Sequence, residues 1–188
     1  MKNNQVTEEL KSFQLPAWNE IPDVGLYLDQ VTKYINSYLG DYEMGVTPSM
    51  ISNYVKLKII SREGKKIYSR ERIAALIFVA VTKTVLSMDQ IRDVLAEFSA
   101  SDSHEAWYTA FVQSLKKHLS EFEQRALPKP GREENGSLLA LITAAVAHKV
   151  YLDTYFRKRR NEQTSGRQKS FFAGKSKSCR NVRFVPYS

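Results

Sequence analysis

Apolar positions recur at helical spacing along most of the chain, and the spacing predicts six helices. From Asp23 to Leu39 the residues Tyr27, Leu28, Val31, Tyr34, Ile35, Tyr38 and Leu39 share one face, with Gly40 placed to stop the helix. A short second helix opens at Thr47-Pro48, a hydroxyl cap followed by a proline suited to the first helical position. Its inward set is Met50, Ile51, Tyr54 and Val55. Ser69 stands where it would cap a third helix, whose stretch Ile73–Leu86 is apolar on nearly every face, as in a helix covered on all sides. Ser87-Met88-Asp89-Gln90 spells a capping box for a fourth, which carries the stripe Met88, Ile91, Val94, Leu95 and Phe98. A fifth helix runs from His104 to about Arg125 and ends before Leu127-Pro128-Lys129-Pro130-Gly131. The sixth, Leu138 to about Arg160, is rich in alanine, which permits close helix approach.

These elements divide the chain into an N-terminal extension (1–22), a first helical domain (23–98), a C-terminal helical pair (104–160) and a tail (161–188). In the extension, Pro16 and Pro22 hold an extended path, and Trp18 is expected to pack on the domain. The tail is rich in Gly, Ser, Lys and Arg and is expected to be disordered.

The second helix carries the most suggestive polar pattern. Ser49, Ser52, Asn53 and Lys56 fall at i, i+3, i+4 and i+7, opposite its apolar face. Short polar groups with one lysine suit base edges and phosphates in a major groove. Beyond it, Ile59-Ile60 and Ile67-Tyr68 are β-prone pairs flanking a Glu63-Gly64 turn, which predicts a hairpin carrying Lys58, Arg62, Lys65 and Lys66. Residues 56–72 hold seven Lys/Arg against Glu63 and Glu71, a local net of +5. A polar helix face beside a basic hairpin is one way to read DNA. The plainer alternative is a solvated helix and a charged hairpin without a partner.

The runs TPSMISNYVK, KKIYSRERIAAL and VLSMDQI resemble the winged-helix DNA-binding part of MerR-type bacterial transcription regulators, over about residues 47–98. Over residues 15–100, LPAWNEIPDVGLYLDQV with SMISNYVKLKII and KKIYSRERIA resembles more closely an uncharacterised bacterial domain-of-unknown-function family described as MerR-like. The resemblance implies a mainly α fold: a winged helix-turn-helix with one small β-hairpin wing, followed here by a C-terminal helical hairpin. It implies double-stranded DNA as partner and a homodimer, for which the C-terminal helices are the available surface. Asn53 and Ser52 would read bases, Lys56 and Ser49 would contact base or phosphate, and Arg62, Lys65 and Lys66 would hold phosphates. Lys58 and Tyr68 complete the DNA-contacting set, Tyr68 standing where the pattern has its wing tyrosine. The chain departs from the pattern in a longer link before the reading helix and in Lys66 where Arg is common. It also has no evident long coiled coil or sensor domain. A helical protein-interaction module that keeps the fold but not the DNA reading is the competing expectation.

Charge changes this picture little. Of the formal +8, residues 157–188 supply ten basic groups against Glu162 alone, so the rest of the chain is nearly neutral. A basic tail attracts polyanions without sequence preference and says little about the folded part. No enzymatic constellation emerges: His104, His118 and His148 lack metal-ligand spacing, Cys179 stands alone, and no Gly-rich phosphate loop occurs. No catalytic, metal or cofactor role is therefore expected. The aromatics Trp107, Tyr108, Phe111, Tyr151, Tyr155 and Phe156 suit helix packing, with a small-molecule effector pocket as the alternative. No apolar run is long enough to span a bilayer and no secretion signal stands at the start, so a cytoplasmic, membrane-free protein is expected.

Overall fold

The computed structural model describes residues 12–61, 67–99, 103–126 and 134–178. Among the described residues stand the helices α1 (Leu28–Leu39), α2 (Pro48–Lys56), α3 (Arg70–Thr82), α4 (Met88–Ser99), α5 (His104–Ala126) and α6 (Glu134–Ser178). Short 3-10 turns stand at Trp18–Glu20 and Gly40–Tyr42. Among the described residues the β pairing amounts to one isolated antiparallel bridge, Leu26 with Tyr68. The chain divides into two units, residues 1–137 and 138–188.

In the first unit α3 is the hub. Ile73, Ala74, Leu76, Ile77, Phe78, Val79 and Ala80 are all buried, as the all-round apolar pattern anticipates. Val31, Ile35 and Leu39 of α1, Ile51 and Tyr54 of α2, and Ile91 and Leu95 of α4 close around it in one core. Phe78 meets Phe98, Trp107 and Phe111 edge-on, with centroids 5.7, 5.8 and 5.0 Å away. The aromatic cluster thus joins α3, α4 and α5, and Tyr108, wholly buried, donates its hydroxyl to the Pro16 carbonyl at 2.9 Å. Burial pushes the Tyr108 hydroxyl pKa strongly up, so it stays a donor. Trp18 packs against the same core beside Tyr108.

Local signals behave as their chemistry dictates, with exceptions. Thr47 caps α2 through the Met50 N–H at 3.2 Å. The Ser87/Gln90 box closes at both ends, at 2.8 and 3.3 Å. Ser69 holds the N-cap position of α3 but makes no side-chain capping bond there. Gly40 follows the last residue of α1 in an ordinary right-handed conformation and enters the 3-10 turn; the left-handed residue that redirects the chain is Glu43, at φ 56°.

The link from α1 to α2 is held by a side chain. Asn36 donates Nδ2–H to the Val46 carbonyl at 2.9 Å and accepts the Val46 N–H at 2.8 Å. Lys83 Nζ donates to the Gly45 carbonyl at 2.9 Å, and burial holds its pKa below the usual lysine value. The long link therefore has a defined exit into α2.

In the second unit α6 extends far beyond the expected end at Arg160. The segment expected to be disordered is helical as far as Ser178, and Cys179 lies outside the described residues. Glu162, Gln163, Arg167, Gln168, Lys169 and Ala173 are good helix formers, and extending an existing helix is far easier than nucleating one. Leu139, Ile142, Val146 and Val150 recur at steps of three and four, each more than half exposed. No helix among the described residues is long and apolar enough to cross a membrane.

The Asn36 bracket predicts a stability effect. Asn36→Ala leaves the N–H and carbonyl of Val46, itself 3% exposed, without their partners. The expected loss is about 1–3 kcal/mol in urea unfolding. Asn36→Asp keeps the acceptor, loses the donor and should fall between; an unchanged midpoint for Asn36→Ala would show the bracket to be incidental.

Candidate functional site

The exposed face of α2 gathers most of the polar residues singled out in the sequence. Ser49, Asn53 and Lys56 are exposed and Ser52 is half-buried, while Ile51 and Tyr54 on the other side are buried. Met50 and Val55 pack against the core from the flanks.

The far end of α2 is closed by an unusual turn. Lys58 adopts φ 56°, a left-handed conformation that a non-glycine side chain disfavours. The Ile59 and Ile60 N–H groups both donate to the Tyr54 carbonyl, at 3.0 and 3.3 Å, and both side chains are buried. These isoleucines thus anchor the end of the helix. The expected pairing of Ile59-Ile60 with Ile67-Tyr68 is not seen among the described residues: Tyr68 bridges to Leu26, with its N–H and carbonyl bonded at 2.8 and 3.0 Å. Gly25 is required beside this bridge, because a methyl there would collide with the Ile67 side chain.

Of the expected wing contacts, Lys58 is exposed and Tyr68 is buried, its ring covered by the Arg72 guanidinium 4.5 Å away. That burial places the Tyr68 ring in the core. Arg62, Lys65 and Lys66 lie outside the described residues.

Two of the seven cations counted between residues 56 and 72 turn inward. Arg70 donates Nε–H to the Ile21 carbonyl at 2.8 Å, approaches Asp23 at 3.8 Å and sits over the Trp18 ring. Arg72 is 8% exposed and donates Nη1–H to the Ile67 carbonyl at 2.7 Å. Sequence reasoning credited both to a basic surface. Their placement in the first turn of a helix, where the dipole disfavours cations, was the available signal that they answer to local partners.

Arg72 also lines a cleft of about 600 Å³ between the segment Lys58–Ser61, the start of α3, and helices α4 and α5. Ser69, Glu71, Arg92, Phe98, His104 and Trp107 are among its walls. A hydrogen bond from Ser69 holds the Glu71 carboxyl below its ordinary pKa, and the charges of His104 and Arg70 act in the same direction. Arg92 is engaged by Asp89 at 2.8 Å. Phe98 and Trp107 stack in parallel with centroids 4.9 Å apart. A second cleft, of about 430 Å³, lies between residues 13–20 and α5. Among the described residues no group of three or more His, Cys, Asp or Glu side chains is placed to hold a metal ion.

A family profile described as a domain of unknown function (DUF1836) matches residues 16–118, more than half of the chain. Searches of curated proteins and of solved structures returned no significant match.

Glu71 yields a pH prediction. Its folded pKa lies below the unfolded value near 4.5, so its contribution is full above that value and fades as the pH falls through the lowered one. In Glu71→Gln, acid unfolding curves should lose part of their slope below about pH 4.5 while keeping their shape at neutral pH. Parallel curves for parent and variant across that window would refute the assignment.

Proposed function

The chain belongs to the DUF1836 family, and from the surface just described we propose that it reads duplex DNA through the exposed face of α2. The carrying observation is the presentation of Ser49, Asn53 and Lys56 on a helix whose reverse side is buried and whose two ends are tied down. A helix so held enters a major groove with little ordering left to do. In this reading the Asn53 amide pairs bidentately with adenine and Ser52 supports it. Lys56 and Ser49 meet base edges or phosphates.

The MerR-like winged helix-turn-helix belongs to the same proposal. It rests on the sequence resemblance over about residues 47–98, in which the basic run holds Arg62, Lys65 and Lys66. These cations, with Lys58, take the backbone phosphates, and control of transcription is the role that follows. The exposed stripe Leu139, Ile142, Val146 and Val150 on α6 suits a homodimer contact, since an apolar helix face left in water is unfavourable. The same stripe, with Tyr151 and Tyr155 exposed nearby, also favours a second reading, a protein-interaction module that does not read DNA.

The test is capture of sheared genomic DNA by the full chain at physiological salt, followed by sequencing of what is retained. A shared two-fold-symmetric motif is expected. Asn53→Ala should relax the preference at one position by about 1–3 kcal/mol. Lys65→Ala with Lys66→Ala should weaken every duplex alike and lower the salt slope. Retention without any motif, unaltered by either variant, would leave only the electrostatics of the basic C-terminal region and favour the interaction module.

A further inference from the structure

The Arg72 guanidinium is a charged group in an expensive place. It is 92% shielded, and among the described residues no carboxylate pairs with it. Its Nη1–H is taken by the Ile67 carbonyl and one face rests on Tyr68, but the buried Nε–H has no acceptor at all. A buried cation with an unmade hydrogen bond is strongly unfavourable unless something completes it. The edge left over, Nε with Nη2, is the one that a carboxylate or phosphate grips side-on through two parallel bonds, for which the wholly covered Nε must first be uncovered by a shift of the side chain toward the cleft.

The surroundings suit that acceptor. Arg72 lines the cleft of about 600 Å³, within the range of small-molecule sites. Lys58 is exposed and lines the same cleft, as does Arg92. Glu71 is the carboxylate on the opposite side of the balance, and it is engaged by Ser69. The first turn of α3 borders the cleft, and Ser69 makes no side-chain capping bond to it. The parallel pair Phe98 and Trp107 supplies a flat apolar wall.

We propose that this cleft binds a small organic anion, a carboxylate or phosphate on a flat apolar body, with Arg72 as the gripping residue. The recess of Arg72 favours a small ligand over the backbone of a duplex, which is too stiff to follow the surface inward. Because the cleft is walled by Lys58–Ser61, the turn that ends α2, an occupant would bear directly on the end of that helix. The proposal does not rest on DNA reading, and its probes contain no nucleic acid.

The experiment is a titration of the full chain, labelled with nitrogen-15, with phenyl phosphate, benzoate and inorganic phosphate at constant ionic strength. The signals followed are the side-chain N–H resonances of Arg72 (Nε) and Trp107 (indole), the former assigned by its loss in Arg72→Lys. Saturable shifts of both with phenyl phosphate or benzoate are expected. Arg72→Lys should weaken binding about tenfold, as for one charge-assisted bond lost. Lys58→Gln, an exposed change that leaves the core alone, should weaken it several-fold and serves as the test if Arg72→Lys fails to fold. Absence of saturation with all three probes would overturn the proposal, as would parent-like affinity in Lys58→Gln and in folded Arg72→Lys. Equal affinity for inorganic and phenyl phosphate would overturn the apolar body. A shift of the Arg72 signal by duplex DNA alone would mark a backbone contact and defeat the small-anion site.

Discussion

Everything that α2 offers depends on the bracket between Asn36 and Val46. A link of this length between two helices ordinarily leaves the second free to pivot. One amide side chain satisfies both backbone groups of a single residue and removes that freedom. Lys83 secures the neighbouring carbonyl from the far end of α3, so the link is fixed to both helices that frame it. The exposed polar face of α2 is then a property of the core: Val46 and Ile51 are buried, and where they go the face must point.

The second governing feature is the division of labour among the cations. A count of charge between residues 56 and 72 describes a basic surface, but Arg72 is buried and Arg70 half-buried, and both hold segments together. Arg70 ties the N-terminal extension to α3 through Ile21 and Trp18. Arg72 spans the carbonyl of Ile67 and the ring of Tyr68, bracing the bridge to Leu26. What remains for a polyanion is Lys56 and Lys58 among the described residues, a more selective surface than the sum suggested.

Much of the helical layout was legible because burial imposes a period: the stripes on α1, α2 and α4 and the apolar wrap of α3 follow directly from which residues must leave water. Capping was legible where it used side chains in fixed register, as at Thr47 and Ser87. The partner of Tyr68 was not, because a backbone bridge to Leu26 leaves no side-chain pattern linking two distant positions. Ile59-Ile60 was misassigned for a related reason, since two buried β-branched residues look alike in a strand and at the end of a helix. The length of α6 was missed because a composition typical of solvated tails is also compatible with a helix carried on from an established one. Of the candidate site, the polar face of α2 was visible at helical spacing, whereas the cleft beside Arg72 joins residues from four segments and had no linear signature.

The Leu26–Tyr68 bridge has a consequence for how the protein forms during synthesis. It joins a residue just before α1 to one just before α3, so the whole of α1 and α2 lies inside the loop that it closes. Closing a loop of that size gives up chain entropy before any contact repays it. The first two helices therefore emerge from the ribosome without their anchor, their apolar faces waiting for α3. A nascent chain halted before α3 would expose Val31, Ile35 and Ile51 together, the kind of surface that chaperones hold.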